Sequence, residues 1–162
     1  MYKKRSFCFW KILKNRKGFT LTEVTVVLGI LFIMTAISVP SYISWLPKHR
    51  LQTSVRQICD DMNLAKIRAV KDNKNACITF DTVADTYTIF FDEDGSASYN
   101  AGDIIIKGNV PLENGVDITA ANTLAFNNRG LSTAGPGQVN LTNPTGRLMG
   151  VNVNAAGGIS AF

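Results

Sequence analysis

A chain of 162 residues with 17 Lys and Arg against 12 Asp and Glu carries a formal net charge of +5 and is long enough for one compact domain plus an accessory segment. Seven of the 17 cations (Lys3, Lys4, Arg5, Lys11, Lys14, Arg16 and Lys17) fall in the first 18 residues, and the rest of the chain holds ten basic against twelve acidic side chains, a net −2. That asymmetry excludes a nucleic-acid reading built on overall basicity, while a single histidine and three cysteines without C-x-x-C spacing exclude a zinc site and call for no cofactor.

Directly after the basic cluster, Phe19 to Val39 form a run whose only ionisable side chain is Glu23. As helix, 21 residues rise about 31 Å, close to the roughly 30 Å of a bilayer's hydrocarbon core. The basic residues before it would stay cytoplasmic and the remainder would face outward. An ordinary signal anchor or a secretory signal peptide is the plain reading, but Ser38-Val39-Pro40-Ser41 fits a small-residue cleavage site poorly. Neither accounts for Glu23, because a carboxylate in the apolar zone costs about 3 kcal/mol on insertion scales and so requires a partner. Cleavage between Gly18 and Phe19 would create one: the new α-amino group lies about one helical turn from Glu23, and a neighbouring subunit displaced along the axis would bring its amine against this carboxylate.

Beyond Pro40, Leu51, Val55, Ile58, Met62, Ala65 and Ala69 recur at steps of four and three, and Arg56, Asp60, Asp61, Lys66 and Arg68 take the remaining positions. This is one buried stripe of an amphipathic helix running to about Lys71. Pro40 and Pro47 each remove a helical N–H, so kinks or local melting are expected there. After Asn75 the period becomes two, in Ile78/Phe80, Tyr87/Ile89/Phe91, Val116/Ile118, Leu124/Phe126 and Val139/Leu141. Turn sequences separate these pairs: Asp94-Gly95, Asn114-Gly115, Asn127 to Gly130, and Asn143-Pro144-Thr145-Gly146. Seven or eight short strands follow, and the fold class is α+β, a long N-terminal α-helix, transmembrane then amphipathic, packed on an antiparallel β-sandwich-like domain. The expected organisation is a leader over 1–18, a membrane or filament-core helix over 19–40, its amphipathic half over 41–72 and a β domain over 73–162. Cys59 falls on the helix and Cys77 at a strand start, and they read as two buried thiols rather than a bridge.

The junction Lys17-Gly18-Phe19-Thr20-Leu21-Thr22-Glu23 resembles the leader junction of type IV pilins and type II secretion pseudopilins. The resemblance implies a prepilin peptidase that cuts after Gly18 and methylates the amino group of Phe19, with Glu23 serving assembly; Pro40 also falls where the family commonly carries proline. The helix segment Val55 to Val70, with Phe126-Asn127-Asn128-Arg129-Gly130 and Thr145-Gly146-Arg147, is similar to the GspH/FimT group. That similarity implies a minor subunit of a pilus or pseudopilus, held by one pass in the bacterial inner membrane with its leader cytoplasmic and its C-terminal domain periplasmic. Its partners would be prepilin peptidase and other pilins or pseudopilins through the N-terminal helix. Two alternatives stay open: a signal-anchored periplasmic domain outside any filament, and a DNA-binding minor pilin for DNA uptake. Some FimT-type pilins are implicated in uptake through a late G-R-x-R motif; here Gly146-Arg147-Leu148-Met149 keeps the first arginine, Arg147, and has methionine at the second, a poor phosphate site on a mature chain of net −2.

Asp92-Glu93-Asp94-Gly95, followed by Asn100 and Asp103, gathers oxygen ligands without the glycine and glutamate spacing of an EF-hand. It reads first as an acidic hairpin loop, with Asp92, Asp94 and Asp103 the residues a calcium ion would use. His49, between Lys48 and Arg50, reads as a solvated side chain, and no motif for an enzyme is present.

Overall fold

A computed structural model describes residues 18–162, so the leader expected over 1–18 lies, apart from Gly18, outside the described residues. The chain divides into two units, one ending at Ser41 and one spanning Tyr42–Phe162. A single helix, α1 (Leu21–Asp72), contributes to both. Its start is capped by Thr20, whose Oγ1 accepts the Glu23 backbone N–H at 3.2 Å and whose carbonyl accepts that of Val24 at 3.2 Å. Its end is closed by Asn73 in the left-handed region (φ 54°), which turns the chain so that the Lys74 N–H reaches the Ala69 carbonyl at 3.1 Å. The helix runs through Pro40 and Pro47 without a break, so the melting expected there does not occur. Each proline removes one hydrogen bond, and the flanking bonds hold the turn.

In the first unit the helix from Leu21 to Ser41 is exposed along its whole length, and it is long and apolar enough to cross a membrane. In the second unit α1 buries the stripe Leu51, Val55, Ile58, Met62, Ala65 and Ala69 expected from its spacing. Two polar residues, Ser54 and Asp61, share that buried face; placing Asp61 among the outward positions was an error.

The β domain holds eight strands: β1 (Asn75–Asp81), β2 (Thr86–Asp92), β3 (Ile104–Pro111), β4 (Asp117–Ala121), β5 (Leu124–Phe126), β6 (Gly137–Thr142), β7 (Leu148–Val153) and β8 (Ile159–Ala161). They form two antiparallel four-stranded sheets, ordered β3-β2-β1-β5 and β4-β6-β7-β8. In the first sheet the register sets Ala76 against Phe91, Ile78 against Ile89 and Phe80 against Tyr87 on the face toward the core. In the second, Val139 pairs with Val151 and Gly137 with Val153. Side chains from both sheets join the α1 stripe in one apolar cluster.

The opposite face of the first sheet carries a smaller cluster of Cys77, Phe90 and Ala125, against which Ala97 packs. Tyr99 adds an edge-on contact to Phe90 at 5.4 Å between ring centroids. The β2–β3 connection therefore covers apolar surface as well as turning the chain. Cys59 is half-buried and Cys77 buried, both as free thiols.

Candidate functional site

At the start of α1, Gly18 and Phe19 lie outside the helix, Phe19 is 81% exposed, and nothing approaches within 4 Å of where a Gly18 Cβ would stand. Phe19, Glu23, Val24, Val27 and Leu28 line one shallow depression: Glu23 and Val27, like Val24 and Leu28, stand one helical turn apart, and Phe19 lies just before the helix beside them. Glu23 sits in the first turn, where the helix dipole favours an anion by about 0.3–1 kcal/mol. That is several-fold less than the cost of a carboxylate in the apolar layer, so local capping does not explain it.

The three carboxylates Asp92, Asp94 and Asp103 converge, each offering an oxygen within 4.8 Å of the others. Every one is already an acceptor for the loop it belongs to. Asp92 Oδ1 takes the N–H groups of Gly95 (2.8 Å) and Ser96 (3.1 Å), and its Oδ2 takes that of Ala97 (3.0 Å) and the Cys77 thiol (3.6 Å). Asp94 accepts from Ser96 N (2.9 Å) and Asn100 Nδ2 (2.7 Å), and Asp103 from the N–H groups of Glu93 (3.1 Å) and Asn100 (2.8 Å). The Ser96 backbone N–H, with the other donors around it, holds the Asp94 carboxyl down at about 2. Burial, reinforced by the Asp92 charge, pushes the Cys77 thiol up to about 12. The arrangement organises the loop over the Cys77–Phe90–Ala125 cluster.

Arg147 is exposed at the end of a turn whose backbone is fixed by Asn143: the Arg147 N–H donates to Asn143 Oδ1 at 2.9 Å, and the Gly146 N–H to the Asn143 carbonyl at 2.9 Å. The same loop occurs three times among the described residues. Asn127, Asn143 and Asn154 each receive on their side-chain oxygen the N–H four residues on, and each precedes by three a glycine at φ 74–76°. Only glycine adopts that conformation cheaply. The first two loops were legible as turns; the third, Asn154 to Gly158, was missed. His49 is exposed and stacks on Trp45 at 4.5 Å.

A buried polar cluster was not foreseen. Asp61 on α1 accepts from the Tyr87 hydroxyl and pairs with Lys107 Nζ (2.9 and 2.7 Å), while Gln57 Nε2 donates to the Tyr87 oxygen at 3.2 Å. It ties the helix to β2 and β3. The available signal was position 61 itself, which falls on the same face as 58, 62 and 65.

Comparison with known proteins bears on the chain's two parts separately. Residues 13–39 match the prokaryotic N-terminal methylation motif, and residues 54–157 match the family described as type II transport protein GspH. A search of curated proteins returned no match. Among solved structures, the type IV minor pilin FimU of Pseudomonas aeruginosa is similar, with a TM-score of 0.56 and 16% identity over 71% of this chain and 90% of that one. The minor pseudopilin EpsH from the type 2 secretion system of Vibrio cholerae is also similar, with a TM-score of 0.53 and 13% identity over 70% and 96%. At such identities these two likenesses concern the fold. The family match covers more than half of the sequence: the chain belongs to the GspH family of type II transport proteins.

Proposed function

We propose that the chain is a minor pilin-like precursor, cut after Gly18, N-methylated on Phe19 and assembled as a structural subunit, not an enzyme, of a pilus or pseudopilus. The observation that carries this reading is the pairing of a methylation-motif match over 13–39 with a wholly exposed apolar segment of α1, residues 21–41, whose one carboxylate is Glu23. The helix holds the precursor in the inner membrane with the β domain in the periplasm. Once the leader is removed, the Phe19 amine of one subunit neutralises Glu23 of the next and sets their axial register. Prepilin peptidase and other pilins or pseudopilins are then the partners.

Mass spectrometry of the chain co-expressed with an active prepilin peptidase tests the first step. A product beginning at methylated Phe19 is expected; an uncut chain beside a cleaved control substrate overturns the proposal in favour of a signal-anchored domain. Glu23→Ala should still insert and be cut, yet its recovery in filaments should fall at least about tenfold, the factor carried by 1.4 kcal/mol. A photo-crosslinker at the exposed Val27 then identifies the neighbours, pilins in one case and secretion pseudopilins in the other.

A further inference from the structure

Beyond the apolar run, the outer face of α1 holds an aromatic and basic segment for which assembly chemistry gives no role. Tyr42 and Trp45 are 59% and 50% exposed, their rings 6.3 Å apart, and His49 stacks on Trp45 at 4.5 Å with 14° between planes. At about 100° per residue these three positions share an arc of about 60°, turned well away from the stripe of Leu51, Val55, Ile58 and Met62 that faces the domain core. Lys48 is exposed beside them, and Arg50 reaches the Asn114 carbonyl at 3.0 Å. Between Glu23 and Asp60 the sequence contains no acidic residue, whereas Lys48, Arg50 and Arg56 are all cationic.

We infer that this segment is a lipid-docking collar, in which the Tyr42 and Trp45 rings occupy the outer headgroup layer of the membrane, His49 covers Trp45 from the aqueous side and Lys48 reaches back along the helix to anionic lipid phosphates. The inference rests on the membrane placement of residues 19–39 proposed above. Two features select a lipid surface as the occupant. The first is continuity: the Tyr42 and Trp45 backbones follow Val39 by about 5 and 9 Å of helix rise, helical side chains lean back toward the N-terminus, and the headgroup layer is about 5–8 Å deep on each side of the hydrocarbon core, so both rings come within it. Aromatic residues with a polar edge concentrate at that depth. The second is charge: an uncompensated cation near an anionic surface favours contact by about fivefold. The collar would hold the β domain against the periplasmic leaflet before assembly, and leaving the membrane would require its release.

The test uses the full chain with Trp10→Phe, which leaves Trp45 as the sole tryptophan, reconstituted in phosphatidylcholine vesicles with and without phosphatidylglycerol. Quenching by lipids brominated high on the acyl chain, and by aqueous acrylamide, reports where the ring sits. Expected is strong quenching by the brominated lipid and weak quenching by acrylamide. Phosphatidylglycerol should increase that protection, and Lys48→Gln should abolish the increase. Free access of acrylamide to Trp45 in floating vesicles overturns the collar while leaving the membrane helix intact. Protection without lipid quenching also overturns it, in favour of a neighbouring chain on this face. Protection indifferent to phosphatidylglycerol removes the anionic-lipid assignment, and failure of the chain to float overturns both readings.

Discussion

Replacing Asp61 by alanine should be among the most damaging single changes on the helix, and its size follows from who loses what. Asp61 is 7% exposed and Tyr87 2%, so the freed Tyr87 hydroxyl hydrogen would find no water. A buried donor left unpaired costs about 1–3 kcal/mol. Lys107 retains 41% of its side-chain exposure and can turn to solvent, so its share is about 0–1 kcal/mol. Together these give about 1–4 kcal/mol, or a fall in Tm of about 4–16 °C at roughly 4 °C per kcal/mol for a unit of this size. Asp61→Asn keeps an acceptor for Tyr87 and loses the ion pair, so it should cost about half as much. Tyr87→Phe removes the donor itself and leaves Asp61 with Lys107, a loss of about 1 kcal/mol. Thermal unfolding followed by near-ultraviolet circular dichroism gives the ranking directly. If Asp61→Ala melts within about 2 °C of the parent, or if Tyr87→Phe proves worse than Asp61→Ala, the cluster does not hold the helix as argued.

Two further predictions concern acid–base behaviour and backbone shape. Burial first, then the Asp61 hydrogen bond, pushes the Tyr87 hydroxyl well up, and burial does the same to Cys77, from 9.0 to about 12. Groups raised in the fold contribute stability that is complete below their unfolded values and lost as pH rises toward their folded ones. Urea midpoints should therefore be level up to about pH 8.5 and fall between about pH 9 and 12, less steeply in Cys77→Ala; an unchanged slope in that variant would contradict the assignment. Gly157 and Gly95 have nearly the same φ, 74° and 75°, but a Cβ at Gly157 would stand 2.0 Å from the Gly130 carbonyl oxygen and one at Gly95 meets nothing within 4 Å. Gly95→Ala should cost about 1 kcal/mol, the left-handed backbone alone, and Gly157→Ala at least about 3 kcal/mol, by equilibrium unfolding. Equal costs would show that the close approach is not rigid.

The helix was legible because both of its signals are long: twenty-one nearly uncharged residues, then a stripe repeated over five turns. Strands β1, β2, β4, β5 and β6 announced themselves by alternation. Strands β3, β7 and β8 did not. Ile104-Ile105-Ile106 is an unbroken apolar run, followed by Gly108 and by Asn109 at φ 45°, and its pairing with β2 shifts register twice. Gly150 interrupts β7 because a Cβ there would stand 2.6 Å from the Val139 carbonyl, and β8 is three residues long. Local pattern cannot register constraints of this kind, which arise from partners distant in sequence. The same holds for Asp61, whose charge argued for solvent until Tyr87 and Lys107 were seen beside it. The acidic loop was legible as a hairpin connection from its composition, but not the way its own N–H groups and the Asn100 amide meet the carboxylates.

The last residues of the chain close against the earliest part of the domain. Lys66 on α1 donates to the Gly157 carbonyl at 2.8 Å, Gly157 lies against Gly130, and Phe162 exchanges both of its backbone hydrogen bonds with Gly150 at 3.0 and 3.1 Å. Val151 and Val153, both fully buried, belong to the same cluster as Leu51. Contacts that join residues about a hundred positions apart form late, because the loop between them must first be closed. The apolar stripe of α1 is therefore fully covered only once β6 and β7 have joined the strands that precede them. Chains that stop before β7, and so lack Val151 and Val153, should accordingly be lost to proteolysis rather than yield shortened but working subunits.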